Sequence, residues 1–256
     1  MTGTTLAYWE QKWAKSGSAD ASLSIFGGFE RIFEAYLPRS QEGHPLDFLE
    51  IGCFPGRFLY YFGKEFGYRV HGIDYLPQAA DIPKRLGALG VEARVMVIDF
   101  FDFKPEQGFD VVSSFGFVEH FCHWQDILDR HLDLLSPGGT LLIEIPNFRY
   151  FQYWLCRLLN PTLLQWHYLE SMDPQLWTKA LKARGLEVVF SGYYQTFQVL
   201  SGLEGSGPVL FLRKTLMGLV KLVRRVINRL PVDYPNRFFS PYIFVIARRP
   251  AIETGE

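Results

Sequence analysis

The stretch from Leu46 to Leu76, LDFLEIGCFPGRFLYYFGKEFGYRVHGIDYL, constrains this chain more than any other. An apolar run from Phe48 to Ile51 ends in a turn bearing Gly52 and Gly56, Arg57 to Phe66 carries apolar residues at helical spacing, and Arg69 to Ile73 is a second short apolar run closed by Asp74. That order predicts a strand, loop, helix and strand. Two parallel strands need such a crossover, and in an open parallel sheet a ligand settles at the carboxyl ends of the strands, where the glycine loop and Asp74 both fall. Glycines let the backbone approach a ligand closely, a helix start offers N–H groups to an anionic end, and a carboxylate about 20 residues on accepts from ribose hydroxyls.

A nicotinamide fingerprint requires G-x-G-x-x-G, but Gly52 is followed by Cys53, Phe54, Pro55 and Gly56, with no third glycine in place. Glu50, two residues before Gly52, adds an acid ahead of the loop. The pattern E-x-G-x-x-x-G followed by GID resembles the first two motifs of class I S-adenosylmethionine (SAM) dependent methyltransferases. That resemblance implies S-adenosyl-L-methionine as cofactor, with Glu50 facing its methionine end, the loop Gly52, Cys53, Phe54 and Gly56 against it, Asp74 at the ribose, and Tyr75 also at the cofactor. The family's central glycine is Phe54 here, with Pro55 beside it to fix the loop.

At 256 residues, 48% hydrophobic and 21% charged, the chain is long enough for one α/β domain with a full core and an elaboration. Its formal net charge of -1 predicts no general affinity for nucleic acid. Cys53, Cys122 and Cys156 have no metal-type spacing and read as reduced thiols of a cytoplasmic protein. There is no apolar leader and no unbroken run of about 18 apolar residues, so neither export by that route nor a bilayer span is expected.

The N-terminal region predicts two helices. Leu6 to Lys15 groups Tyr8, Trp9 and Trp13 near one face, and a second helix runs from about Gly28 to Leu37. After Asp74 the alternation continues with a helix over Pro77 to Leu89, kinked or shortened at Pro83, and a strand over Val91 to Ile98 ending at Asp99. Phe109 to Phe115 is a fourth strand, Trp124 to Leu135 an amphipathic helix stopped by SPGG, and Thr140 to Ile145 a fifth strand. Strands alternating with helices call for a doubly wound sheet. Asp99, FDVVSSFG and LSPGGTLLIEIPN resemble the third, fourth and fifth methyltransferase motifs in order. By that resemblance Asp99 meets the adenine amino group with Phe100 beside the ring, Asp102 being the rival acid, while Ser114 and Phe115 line the methionine portion. The family also implies that YWEQKW closes over the cofactor, although the same aromatics would simply pack on the sheet.

Beyond Asn147, FRYFQYWLCRLLNPTLLQWHYLE is an aromatic segment where the family places substrate-facing insertions. A helix from Pro174 to Ala183, a strand from Leu186 to Val199 and a last strand from Tyr242 to Ala247 follow, and family members end with the seventh strand antiparallel between the fifth and sixth. Between those strands, residues 208–230 place Leu212, Leu216, Leu219, Val223, Val226 and Leu230 at helical spacing among Arg213, Lys214, Lys221, Arg224, Arg225 and Arg229, with no acidic residue. Such a helix suits a membrane interface, and equally a helix packed across the domain with a solvated basic side. The expectation is therefore a single α/β domain with a seven-stranded, doubly wound, mostly parallel sheet and a C-terminal antiparallel hairpin. A helical cap forms residues 1–45, the core residues 46–199 and 238–249, and a basic helical insertion residues 200–237.

An activated methyl group leaves the protein to align an acceptor and exclude water, and a hydroxyl acceptor also needs its proton removed by a histidine or carboxylate. Glu119 and His120, in the loop after the fourth strand, and His167, in a segment resembling one that returns a histidine to the pocket, are the candidates; each also reads as a structural hydrogen-bonding group. No aspartate pair or H-x-x-x-H spacing suits a metal. The acceptor expected is a sugar, glycan or lipid-linked precursor. The alternatives are a lipid or quinone-like small molecule, a non-catalytic SAM-binding scaffold, or, as a third reading, a nicotinamide dehydrogenase. Partner readings are a peripheral membrane contact at the inner face through 208–230 and a homodimer.

Overall fold

A computed structural model describes residues 9–10, 23–25, 28–196, 198–200, 202–227 and 234–251. The expected helix over Leu6 to Lys15 lies outside them except for Trp9 and Glu10, as do Arg229 and Leu230. Among the described residues the strands are β1 (Asp47–Ile51), β2 (Arg69–Asp74), β3 (Ala93–Val97), β4 (Phe109–Phe115), β5 (Leu135–Pro146), β6 (Glu187–Tyr194) and β7 (Tyr242–Arg248). They form one seven-stranded sheet in the order β3-β2-β1-β4-β5-β7-β6. The first five are parallel, while β7 runs antiparallel to both β5 and β6, as the family resemblance implied.

Strand alternation sends successive side chains to opposite faces, and each face is covered by helices. On one side Phe48, Val111 and Leu142 pack with Phe29 and Phe33 of α1 (Phe29–Tyr36), Phe58 and Leu59 of α2 (Arg57–Tyr61), and Ile82 and Leu86 of α3 (Ile82–Gly87). On the other, Leu49, Val112, Leu141 and Ile143 meet Trp124 and Leu128 of α4 (Trp124–Asp133) and Trp177 and Leu181 of the later helix Pro174–Ala183. Trp124 and Trp177 lie 4.5 Å apart between ring centroids, and the Trp177 indole N–H donates to the Ser171 carbonyl at 2.6 Å. Truncating either ring would cost about 3–5 kcal/mol.

Several boundaries differ from expectation. The helix begun at Arg57 becomes a π-helix over Phe62–Phe66, and a Cβ on Gly63 would lie 2.5 Å from Val91, so this segment sits too close to its neighbour for any other residue. Pro77–Asp81 is a 3-10 turn, and Pro83 stands in the first turn of α3, where its missing N–H costs nothing. SPGG does not stop a helix: α4 ends at Asp133, and SPGG belongs to β5. There the register with β4 jumps from Phe109↔Leu135 to Val111↔Thr140, leaving Ser136 to Gly139 as a bulge. The aromatic segment after β5 folds as α5 (Tyr150–Leu159) and two short 3-10 turns, followed by α6 (Pro174–Ala183). The basic insertion is a single long helix, α7 (Gly207–Ile227).

Candidate active site

At the carboxyl ends of β1, β2, β4 and β5 lies a cleft of about 620 Å³. The turn after β1 shapes one wall. The amides of Gly52 and Cys53 both donate to the Ile73 carbonyl, at 2.9 and 3.2 Å, which fastens the loop to the end of β2. Gly52 and Gly56 hold φ of +74° and +92°, and a Cβ on Gly56 would meet Ile82 at 2.8 Å, so both positions need glycine. The Phe54–Pro55 bond is cis. The Asp74 carboxylate accepts from the Phe54 amide through Oδ2 and from the Leu76 amide through Oδ1, each at 2.9 Å.

Of the residues expected at the cofactor, Glu50, Gly52, Phe54, Asp74, Tyr75, Asp99, Phe100 and Phe115 line the cleft. Cys53, Gly56 and Ser114 do not. Cys53 is buried with its Sγ against Gly72 of β2, and Gly56 faces α3. Ser114 follows Ser113 and so falls on the opposite face of β4, where its hydroxyl donates to His131 Nε2 at 3.0 Å. A carbonyl can only accept, so the 2.7 Å bond from His131 Nδ1 to the Ile127 carbonyl fixes the ring as the neutral Nδ1–H tautomer. Asp99 stands exposed at the rim, its Oδ1 accepting from the Phe101 amide at 2.8 Å, and Asp102 lies outside the lining.

The cleft is acidic. Burial, and then the neighbouring Asp74 charge, push the Glu50 carboxyl well above the usual carboxylate range. Burial raises Asp74 as well, with the amides of Leu76, Phe54 and Tyr75 pulling it back. Glu144 of β5 also lines the cleft, and burial followed by the charge of Glu119 drives its carboxyl well upward. Burial lowers the Arg57 guanidinium, which faces the same space and is favoured by Glu50. Two buried polar atoms in this lining, Glu50 Oε2 and the Tyr75 hydroxyl, have no hydrogen-bond partner among the described residues. Leaving such groups buried and unpaired costs about 1–3 kcal/mol each, so a site of this kind fits a polar, cationic ligand.

The three residues expected to act on the acceptor come together. His120, on the short turn Val118–His120 after β4, lines the cleft, with Trp9 edge-on at 4.9 Å. Its Nδ1–H donates to the Trp166 carbonyl at 2.7 Å, and the His167 Nδ1–H donates to the Leu163 carbonyl at 2.7 Å. The Tyr168 amide donates to the Glu119 carbonyl at 2.7 Å, binding the insertion to the loop. The two imidazoles lie 4.7 Å apart, and Glu119 Oε1 is 3.8 Å from His120 Nε2. One donor atom from each of Glu119, His120 and His167 falls within 4.8 Å of the others, a grouping that no spacing in the sequence shows. Glu119 and His167 sit behind His120 rather than in the lining.

Glu144, Arg57, Phe117 and Phe121 line the cleft without having been expected there. For Glu144 the signal was an acid inside the apolar run LLIEIP, since a charged residue in a buried strand needs a reason to be there.

Residues 25–190 match the methyltransferase-domain family. The chain is 26% identical over 128 residues to trans-aconitate 2-methyltransferase of Mycobacterium tuberculosis (strain ATCC 25177 / H37Ra), covering 50% of this chain and 48% of that one. It is 28% identical over 126 residues to the ubiquinone biosynthesis O-methyltransferase of Bradyrhizobium sp. (strain ORS 278), covering 47% and 48%. The chain thus spans about half the length of the curated relatives it matches. Among solved structures, a SAM-dependent methyltransferase from Thiobacillus denitrificans, in complex with S-adenosyl-L-homocysteine, shares the fold with a TM-score of 0.60 at 14% identity, over 93% of this chain and 97% of that one. With the family match covering well over half of its length, this chain belongs to the methyltransferase-domain family.

Proposed function

We propose that the chain is a SAM-dependent methyltransferase acting on a hydroxyl of a small-molecule acceptor. The observation that carries the reading is the acidic cleft at the strand ends, with Glu50 Oε2 and the Tyr75 hydroxyl buried there without partners among the described residues. When bound, SAM supplies a methyl group already activated by its sulfonium. Glu50 would face the cationic methionine end, Asp74 and Tyr75 the ribose, and Asp99 with Phe100 the adenine. Gly52 adds no side chain to that wall, where a Cβ would meet Phe117 at 3.2 Å.

His120 is the group we assign to the acceptor. Its Nδ1–H is held by the Trp166 carbonyl, so Nε2 is the nitrogen able to take a hydroxyl proton, and the Glu119 carboxylate beside it would stabilise the resulting imidazolium. Around His120 the cleft is walled by Trp9, Phe117 and Phe121. A sugar could lay a C–H face on those rings, but its several hydroxyls need polar partners that Phe117 and Phe121 do not supply, whereas a phenol-like or quinone-like ring stacks on them. This wall favours the apolar-ring acceptor over the glycan or lipid-linked sugar. The names of the ubiquinone O-methyltransferase and of a 2-methyl-6-phytyl-1,4-hydroquinone methyltransferase from Synechocystis sp. (strain ATCC 27184 / PCC 6803 / Kazusa), 26% identical over 144 residues, support the same class.

The test is incubation with methyl-labelled SAM and two sets of acceptors, hydroxylated aromatics and sugar or lipid-linked glycan extracts. Label on the aromatics is the expected result. Label on the glycans alone would restore the sugar reading, and calorimetric SAM binding with label on neither would point to a scaffold. No SAM binding would remove the proposal altogether.

A further inference from the structure

The long helix α7 is apolar on two sides, one packed on the domain and one left in water. Its inner side carries Leu216, Met217 and Val220 against Leu155 and Leu159 of α5. Arg213 also turns inward, donating to the Leu158 carbonyl through Nε at 2.8 Å and to the Glu204 carbonyl through Nη1 at 2.6 Å. The outer side is apolar. Phe211 and Leu212 are 73% and 70% exposed, and Leu219, Leu222 and Val223 follow at helical spacing, each with about half its surface in water. On the neighbouring α5, Trp154 and Leu158 are similarly exposed, at 66% and 58%.

Along one flank of this apolar face run Lys214, Lys221 and Arg225, seven and four residues apart and so on one line of the helix. Residues 207–227 contain no acidic side chain to offset them. Single exposed leucines need no explanation, but a two-helix apolar surface edged by cations marks a surface with a partner. We propose that this face seats on an anionic lipid surface, with the apolar side chains of α7 and Trp154 entering the acyl boundary and the cationic flank meeting headgroups. A second copy of the chain fits less well, because the same helix facing itself would bring cations together with no carboxylate of its own to pair them. No described helix is long and apolar enough to cross a bilayer, and α7, about 30 Å in length, would lie in the plane of the interface.

Sedimentation of the full chain with phosphatidylcholine vesicles and with vesicles of rising phosphatidylglycerol content, at low and high salt, tests the proposal. Binding should rise with anionic content and fall with salt. The variant Lys214→Gln, Lys221→Gln, Arg225→Gln should bind anionic vesicles about a hundredfold more weakly. Leu219→Gln with Leu222→Gln should remove the binding that survives high salt. All five residues are exposed, so thermal unfolding of both variants should match that of the parent chain. No binding to anionic vesicles at low salt would overturn the proposal. So would a dimer, seen by analytical ultracentrifugation without lipid, that the two leucine substitutions dissociate, since a second copy would then be the occupant.

Discussion

The Asp74 carboxylate accepts a hydrogen bond from the Phe54 amide at 2.9 Å, so the acid at the end of β2 clamps the turn at the end of β1. The same carboxylate accepts from the Leu76 amide. A residue assigned to a ribose therefore also builds the wall the ribose would lie against. Asp74→Ala should weaken SAM binding by about ten- to hundredfold through lost hydrogen bonds to a charged acceptor, and should also lower stability by about 1–3 kcal/mol through two buried amides left unpaired. Titration calorimetry with SAM and urea unfolding of the same variant measure the two effects. Loss of stability with unchanged affinity would leave Asp74 as a clamp alone.

Glu50 should make SAM binding depend on pH. Burial raises its carboxyl in the free protein, and a sulfonium or ammonium cation brought into the cleft would favour the charged form and lower it again. Binding should then release a proton, and affinity should rise as the pH climbs through the interval between the bound and free values, levelling off above the free one. Calorimetry in buffers of differing ionisation enthalpy reads the released proton directly. Glu50→Gln should bind more weakly and lose the proton release; a variant that keeps it would shift the effect to Asp74 or Glu144.

The sheet was legible because short apolar runs ending at Ile51, Ile73 and Phe115 alternate with helical spacing, and because the glycine turn can be made by few other sequences. The acids at the ends of β1 and β2 were legible for the same reason. Ser114 lies outside the lining although its neighbour Phe115 is part of it, because alternation turns the Ser114 hydroxyl to His131 on the other face of β4. SPGG looked like a stop because glycine and proline mark turns, yet a bulge between two paired strands uses the same residues. The meeting of His120 with His167 depends on the path of a 46-residue connection, through a hydrogen bond to the Trp166 carbonyl, and no local pattern encodes it.

His131 should set part of the pH dependence of stability. It is fully buried and neutral, and burial lowers its pKa to about 4, against an ordinary value of 6.5 in the unfolded chain. A depressed folded value means that its contribution is intact above 6.5 and is lost as the pH falls from there toward 4, because the unfolded chain takes up the proton first. At about pH 5 the loss should be about 2 kcal/mol relative to neutral pH. Urea unfolding at the two pH values measures it, and His131→Gln should flatten the difference. Ser114→Ala, which removes the hydroxyl donating to Nε2, should cost about 1–3 kcal/mol at neutral pH and leave SAM affinity unchanged, since Ser114 does not line the cleft.

The assignment of the base is separable from the assignment of the cofactor. His120 lines the cleft and His167 lies behind it, although both rings anchor Nδ1–H on a backbone carbonyl at 2.7 Å. If His120 takes the acceptor proton, His120→Ala should lower kcat by about 10²-fold or more while SAM affinity stays near that of the parent chain. The pH profile of kcat should also lose the limb that reports a neutral imidazole. His167→Ala should act through the position of His120, lowering kcat less and keeping that limb. Glu119→Gln should move the limb to lower pH, because a carboxylate 3.8 Å from Nε2 favours the imidazolium and the amide does not. Should His120→Ala leave kcat and its pH profile intact while His167→Ala reduces both, the base is His167. With neither variant slowed, alignment of the acceptor against the methyl group is sufficient, and the three side chains serve to join the insertion to the loop after β4.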